Sequence, residues 1–448
     1  MSTKTYFHSV RLDKNKCKGC TTCLKRCPTE AIRIRDNRAR ILDERCIDCG
    51  ECIRVCPHHA KIAKTDSLES ALSRFPYKIA LPAPTLYAQF KGINSVVPVI
   101  AGLFALGFDD VFEVARAAEL ISYATAQILK TTTKPKPVIS SACPAIVRLI
   151  QVRFPALIDN VMDLLSPMDA AADIAKEEFC KRHGVSREEV GVFFITPCPA
   201  KMTAIKAPIG QEKSNVDGAV SVVEIYGLLA GDLGKKITQH DIDRASAAGV
   251  GWAVEGGEIA AAGVENSIAV DGIANVIRAL EAIENNRLSG LNFFEGLACT
   301  DGCLGGPLTF DNSFVAKNRM RRLMKGLPKS PAPSEYFEQA AQRFAMTKPI
   351  EPRDIAPFSG TLQERLGQMG RVEQILATLP GLDCGSCGSP TCRTLAEDVV
   401  RGYATELNCI FKLRERVQFL AEQMVQINKS TTFYSDARKE RQENDENQ

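Results

Sequence analysis

The stretch Gly191-Val-Phe-Phe-Ile-Thr196 reads as a β-strand, and it delivers Pro197-Cys198-Pro199-Ala200-Lys201 to the loop beyond its carboxyl end. The same pattern occurs upstream. Lys136-Pro-Val-Ile-Ser140 reads as a strand, Ala142-Cys143-Pro144 as the following turn, and Ala145 to Phe154 as an amphipathic helix stopped by Pro155. Strands feeding helices predict an α/β architecture, in which ligands collect outside the carboxyl ends of the strands. Both cysteines fall at such ends. A thiolate at a helix N-terminus is stabilised by the unpaired N–H groups and the helix dipole, which suits a negatively charged cluster.

All but one of the 17 cysteines, Cys180, fall into three sets. The first is Cys17-x2-Cys20-x2-Cys23-x3-Cys27-Pro28, repeated as Cys46-x2-Cys49-x2-Cys52-x3-Cys56-Pro57, which resembles a two-cluster bacterial ferredoxin in its spacing. In such runs the fourth cysteine ligates the other cluster. Cys17, Cys20, Cys23 and Cys56 are therefore expected on one [4Fe–4S] cubane, and Cys46, Cys49, Cys52 and Cys27 on the other. A zinc ribbon or a disulfide framework would not call for the doubled third-cysteine spacing with a following proline. Lys18, Lys25 and Arg26 lie between ligands and read either as a docking face for an acidic redox partner or as solvated charge.

Length and composition bound the rest. With 448 residues and 45% hydrophobic content, the chain can bury several cores, and a net charge of +3 argues against nucleic-acid binding as the main role. The longest apolar run, Val96 to Phe108, contains Pro98, Gly102 and Gly107 and is too short to span a bilayer. Met1 to Val10 has no apolar core of a signal peptide. Thiolates committed to Fe–S clusters fit a reducing, oxygen-poor cytoplasm, the expected location.

The second cysteine set is dispersed: Cys143, Cys198, Cys299 and Cys303. They lie in three motifs, Ser140-Ser141-Ala142-Cys143-Pro144, Thr196-Pro197-Cys198-Pro199-Ala200-Lys201, and Glu295-Gly-Leu-Ala-Cys299-Thr-Asp-Gly302-Cys303-Leu-Gly305-Gly306-Pro307. In order and separation these resemble the three signatures of the [FeFe]-hydrogenase catalytic domain, and the resemblance covers residues 1 to about 360. It implies a two-lobed α/β H-domain behind an α+β ferredoxin-like domain. It also implies an H-cluster, with Cys143, Cys198, Cys299 and Cys303 on a [4Fe–4S] cubane and Cys303 bridging to a diiron unit that carries CO, cyanide and a dithiolate. That unit is made by separate maturation proteins. By the same resemblance Lys201 matches the lysine that hydrogen-bonds a cyanide ligand, an apt role for an ammonium with three donors. Thr196 and Pro197 fall in the cofactor pocket, Gly302, Gly305 and Gly306 allow close backbone approach to a bulky group, and Glu295 is a candidate acid–base group or a loop-fixing acceptor.

The departures from the family pattern bear on function. Prototypical members carry two adjacent cysteines in the first motif, the first of them a proton relay, and here that position is Ala142. Ala124 and Thr125 stand where relay glutamates are expected. Thr196 and Leu297 replace methionines, so the pocket is reshaped. A positioned acid–base group contributes about 10² to 10⁴ in rate, and its loss implies slow turnover, suited to a sensor of the divergent, sensory type. The expected reaction partners are H2, protons and a ferredoxin or other redox protein, with a signalling partner for any sensory output. The alternative is a non-hydrogenase relative that keeps the cysteines without a diiron unit, as in Fe–S assembly or simple electron transfer.

The third set is Cys384-x2-Cys387-x4-Cys392-x16-Cys409, which resembles a small helical [4Fe–4S] domain, with zinc as the other reading. A straight helix from Cys392 to Cys409 would hold them about 25 Å apart, so the chain is expected to turn at Gly402. Beyond it, Ile410, Leu413, Val417, Leu420, Met424 and Ile427, then Thr431 and Tyr434, keep a 3-4 spacing. That pattern suits a homodimeric coiled coil or a helix packed on the body. The expected organisation is a ferredoxin-like domain at 1–68, the H-cluster domain at 69–360, the helical [4Fe–4S] domain at 365–411, a coiled-coil helix at 412–435 and a disordered polar tail at 436–448.

Overall fold

A computed structural model describes residues 7–231, 233, 244–353, 355, 358 and 360–445, with side chains through residue 429. The chain forms two compact units. One comprises Met1–Cys17, Arg26–Ala31 and Ile41–Ile355, and the other Lys18–Lys25, Ile32–Arg40 and Ala356–Gln448. The cysteine-rich N-terminal segment is thus divided between them.

Eleven strands are named in chain order: β1 Val10–Leu12, β2 Ile32–Arg35, β3 Arg38–Ile41, β4 Lys61–Ala63, β5 Tyr77–Pro82, β6 Asp110–Val111, β7 Val138–Ile139, β8 Val190–Thr196, β9 Gly218–Ser221, β10 Ser267–Asp271 and β11 Phe293–Leu297. The first unit holds two parallel sheets, ordered β6-β5-β8-β9 and β10-β11-β7, the two lobes of an α/β domain. The central strand β8 is buried at all seven positions, as its uninterrupted apolar run predicts. Gly191 on β8 is required for packing, because a Cβ there would lie 2.3 Å from the Phe75 ring. Helices Val114–Thr131 and Pro167–His183 cover this sheet, with Ala117, Leu120, Ile121, Ala170, Ala171 and Ile174 meeting Ile79, Leu81, Val192 and Phe194 in one core. A second core joins Ile139 and Phe294 of the other sheet to helices Pro144–Arg153 and Ile273–Glu284. The helix starting at Ile273 buries Ile273, Val276, Leu280 and Ile283, an i, i+3, i+7, i+10 stripe. Parallel order places the ends of β7, β8 and β11 where their loops carry Cys143, Cys198 and Cys299.

Among the described residues of the second unit, the strands are the β2–β3 pair and the other named elements are helices. Helix Leu362–Thr378 starts with a capping box between Thr361 and Glu364, and helix Cys392–Val400 is capped by Thr391. They close over Val372, Leu379, Leu395, Ala396 and Cys409. The chain turns after Val400, with Gly402 at φ +77°, as the cysteine spacing demands. A single helix then runs from Ile410 to Asp445 with Ile410, Leu413, Val417, Leu420, Met424 and Ile427 exposed. The polar segment from Asp436, expected to be disordered, continues this helix through Asp445. Ala437 to Glu443 are all strong helix formers, which explains the continuation. Among the described residues no helix is long and apolar enough to cross a membrane.

Candidate metal and active site

The dispersed cysteines converge in the first unit. Cys143 and Cys198 each occupy the N-cap of a helix, Pro144–Arg153 and Pro199–Lys206, whose first residue is proline. Proline at that position gives up only an N–H the helix could not use, and its fixed φ presets the turn. Fully buried Arg148 donates to the Ala200 carbonyl at 3.3 Å and the Ala207 carbonyl at 3.0 Å, so it fixes the second of these helices against the first. Cys299 follows β11, and Cys303 lies in the short turn Gly302–Gly305. Burial and then the neighbouring Cys198 and Cys143 push the Cys303 thiol up to about 12. Burial first, then Cys198, Cys143 and Cys303, hold Cys299 well above its ordinary value, and burial also raises Cys198. Sulfurs crowded into one another's field resist ionisation unless a cation lies among them, and the iron of a cluster would supply that charge. The donor set therefore fits a cubane.

The glycines of the third motif are explained by chain packing. A Cβ on Gly302, which has φ +67°, would meet the Ala253 carbonyl at 2.7 Å, one on Gly305 the Thr300 carbonyl at 2.0 Å, and one on Gly306 the Pro197 carbonyl at 2.5 Å. Three stretches of backbone meet here. Thr196, fully buried, donates from its hydroxyl to the Cys198 carbonyl at 2.8 Å and accepts from the Cys198 N–H at 3.2 Å, which fixes the loop that presents Cys198.

A cavity of about 100 Å³ adjoins the quartet, lined by Cys143, Cys303, Ala142, Pro197, Lys201 and Leu297 among others. The Lys201 ammonium donates to the Ala142 carbonyl at 3.0 Å. Trp252 also lines the cavity and is held by an indole N–H bond to the Ser122 hydroxyl at 2.8 Å. Ala124 and Thr125 are buried in helix Val114–Thr131 and bring no acid to the site.

Two carboxyls reach the same cavity. Glu295, on β11 and 2% exposed, accepts from the N–H groups of Gly256 at 3.0 Å and Ile259 at 3.1 Å, so it fixes the start of helix Gly257–Ala262. Glu258, on that helix and 5% exposed, accepts from the Ser140 hydroxyl at 2.6 Å, while that hydroxyl accepts from the Ala142 N–H at 3.2 Å. Burial, then the Glu295 carboxylate, push Glu258 up to about 8, and burial pushes Glu295 up to about 7. Near neutral pH the pair therefore retains a proton. Glu255 follows at the surface, raised by partial desolvation and then by Asp271, and its charge acts on Glu295. Sequence reading missed Glu258 and gave Ser140 no role. The only signal was an acid after the Gly256-Gly257 pair, and spacing alone does not show that this turn reaches the first motif.

A family profile described as the iron-only hydrogenase large subunit, C-terminal domain, matches residues 77–267 and 235–307, more than half of the chain. The chain belongs to the iron-only, or [FeFe], hydrogenase family. An Fe–S cluster profile matches residues 379–411 and a 4Fe–4S dicluster profile residues 9–57. Similar proteins include the NADP-reducing hydrogenase subunit HndD of Solidesulfovibrio fructosivorans, 25% identical over 52% of this chain and 37% of that protein. The periplasmic [Fe] hydrogenase large subunit of Nitratidesulfovibrio vulgaris is 28% identical over 43% of this chain and 50% of that one. A cytosolic Fe–S cluster assembly factor homologue of Schizosaccharomyces japonicus is 29% identical over 21% of this chain and 19% of that one. The chain spans half or less of the length of these relatives. An [FeFe]-hydrogenase structure from Chlamydomonas reinhardtii superposes with a TM-score of 0.48 at 15% identity, covering 62% of this chain and 93% of that one.

This divergent [FeFe]-hydrogenase family member carries further cysteine sites. Cys27, Cys46, Cys49 and Cys52 act on one another electrostatically in the first unit, with Cys46 and Cys49 held well above their ordinary value chiefly by burial. Cys17 and Cys56 belong to the first unit and Cys20 and Cys23 to the second. Burial pushes Cys56 up, but the N–H groups of Lys61 and Ala60 outweigh it and hold the thiol low. In the second unit Cys387, Cys392 and Cys409 share one core, and Cys384 acts on Cys387. The N–H and hydroxyl of Ser386 hold the Cys384 thiol low, whereas burial raises Cys387. Cys180 packs half-buried against the main core, and His58 and His59 are exposed.

Proposed function

We propose that this chain is a divergent [FeFe]-hydrogenase that interconverts H2 with protons and electrons slowly, in H2 or redox sensing, with [4Fe–4S] clusters carrying the electrons. The observation that carries this reading is a single cavity lined by Cys303, Lys201, Glu258 and Glu295. Cys143, Cys198, Cys299 and Cys303 would hold the cubane of an H-cluster, and Cys303 would bridge to its diiron unit. When bound, that unit supplies the metal at which H2 is split heterolytically and re-formed. Lys201, anchored on the Ala142 carbonyl, has N–H donors left for an anionic ligand such as cyanide. Ala142 carries no proton. Glu258 takes over that task, holding a proton on its carboxyl with the Ser140 hydroxyl as its hydrogen-bond partner. Glu295 and then exposed Glu255 continue the acids toward solvent. A proton stored near neutral pH suits a group that must both give and take one.

The partners on this reading are H2, a ferredoxin or similar one-electron carrier in an anaerobic cytoplasm, the proteins that build the diiron unit, and a signalling protein. The long C-terminal helix pairs with that of a second copy. Its a positions Ile410 and Val417 are β-branched and its d positions Leu413 and Leu420 are leucine, the combination that favours parallel dimers. Light scattering on the intact chain tests this, a monomer being the contrary result.

The deciding experiment is infrared spectroscopy of protein matured with the diiron unit, under H2 and then under inert gas. Bands from bound CO and cyanide that respond to H2 are expected. Their absence after competent maturation, with all four cubanes present by iron analysis, would remove the hydrogenase reading. It would leave electron transfer or Fe–S assembly, the role named for the Schizosaccharomyces japonicus relative.

A further inference from the structure

Asp398 is 2% exposed, yet it lies on helix Cys392–Val400 only six residues after a cluster cysteine. Burying a carboxylate is costly unless its oxygens are well occupied. Here they are. Arg33 donates to it from Nε at 2.6 Å and Nη2 at 3.2 Å, Arg35 from Nη2 at 3.0 Å and Ser389 from its hydroxyl at 2.9 Å. Arg33 and Arg35 are alternate residues of β2, so one strand face presents both guanidinium groups to the same carboxylate.

The same strand holds the cysteine loop. Arg35 donates to the Cys387 carbonyl at 3.1 Å and the Ser389 hydroxyl at 2.9 Å, and the Ile34 N–H donates to the Gly388 carbonyl at 2.8 Å. Gly388, at φ +79°, packs so closely that a Cβ would lie 2.1 Å from the Ile34 carbonyl. At Gly385 a Cβ would lie 3.2 Å from Leu24 Cδ2 and from Lys25 Cε. Gly385 follows Cys384, and Leu24 follows Cys23. Two ligand-bearing turns from opposite ends of the sequence are thus in contact within one unit.

We infer that Asp398, with Arg33 and Arg35, is a positioning clamp that holds the C-terminal four-cysteine cluster against the turn that carries Cys20 and Cys23, making the C-terminal site an electron port. The inference rests on the iron–sulfur character of the two cysteine-rich segments and not on the hydrogenase reading. The step is one electron: one cubane is oxidised by one, its neighbour is reduced by one, and no bond or proton moves. The electron enters from a one-electron reductant.

The test uses the full chain with its cubanes, reduced with dithionite and followed by electron paramagnetic resonance and iron analysis. In the wild type the spectrum should show magnetic interaction between clusters. D398N should keep its iron but lose most of that interaction, and freeze-quenched electron exchange should slow roughly tenfold or more. R35M, which leaves the Arg33–Asp398 pair in place, should act in the same direction more weakly. K25E, beside Gly385, should move the C-terminal cluster to a more negative potential in a redox titration, since added negative charge disfavours the reduced form. Unchanged interaction and exchange in D398N with full iron would overturn the inference. Should D398N lose the C-terminal iron, unchanged interaction in R35M together with an unmoved potential in K25E would overturn it as well.

Discussion

The dispersed cysteine quartet of the first unit and the C-terminal quartet of the second offer the same four sulfurs in opposite settings. The first draws Cys143, Cys198, Cys299 and Cys303 from the ends of parallel strands, packs them together and raises three of their thiols. The second takes Cys384, Cys387, Cys392 and Cys409 from one short helical segment, with Cys384 near the surface and held low by Ser386. Of the two, the first adjoins a cavity lined by an ammonium and by a carboxyl pair that retains a proton near neutral pH. A centre that only passes electrons needs ligands and a neighbour. A centre that handles protons needs a dry pocket in which an acid keeps its proton at neutral pH.

The sharpest break in that contrast is Cys303→Ser. It should abolish H2 turnover and the CO and cyanide bands of matured protein while the C-terminal cluster signal persists, and surviving bands would show that Cys303 is not the bridge. Next, Glu258→Gln keeps the shape of the side chain but cannot release a proton. Turnover should fall by about 10² to 10⁴ with the infrared bands intact, and the alkaline limb of the pH–rate profile near 8 should disappear. Normal turnover in E258Q would assign the proton route to other groups. Smaller still, Cys384→Ser should cost the C-terminal cluster and slow exchange with an external electron carrier several-fold, while the bands under H2 stay as in the wild type. A change in those bands would show that the two centres are less separate than their settings suggest.

Much of this contrast was legible in the sequence because the spacing of cysteines along the chain limits which of them can share one site. The strand before Cys198, the helix from Ala145 stopped near Pro155 and the turn at Gly402 all follow from local rules of periodicity, proline and chain geometry. The acids were not legible in the same way. Glu258 is bonded to Ser140 across 118 positions and Asp398 to Arg33 across 365, and no local pattern encodes such pairings. The glycines of the third motif were expected to let the backbone approach a bulky cofactor, whereas their contacts in the fold are with the carbonyls of Ala253, Thr300 and Pro197, which no local pattern encodes. The helical run past Asp436 went unread because its polar composition outweighed its helix-forming residues.

The smallest expected effect is on stability, and it isolates the proton-holding character of the first centre. In the unfolded chain Glu258 releases its proton near the ordinary 4.5, but in the folded protein only near 8. Between these values the native state binds more protons than the unfolded one, so stability falls as pH rises through this window, by at most about 1.4 kcal/mol per pH unit. Below pH 4.5 the penalty is absent. A glutamine side chain does not titrate, so E258Q should gain on the wild type in melting temperature steadily from about pH 5 to pH 8, and the two curves should converge in acid. Parallel curves would mean that Glu258 is ionised in the fold at neutral pH, which would place the stored proton elsewhere and remove the main chemical distinction between the two quartets.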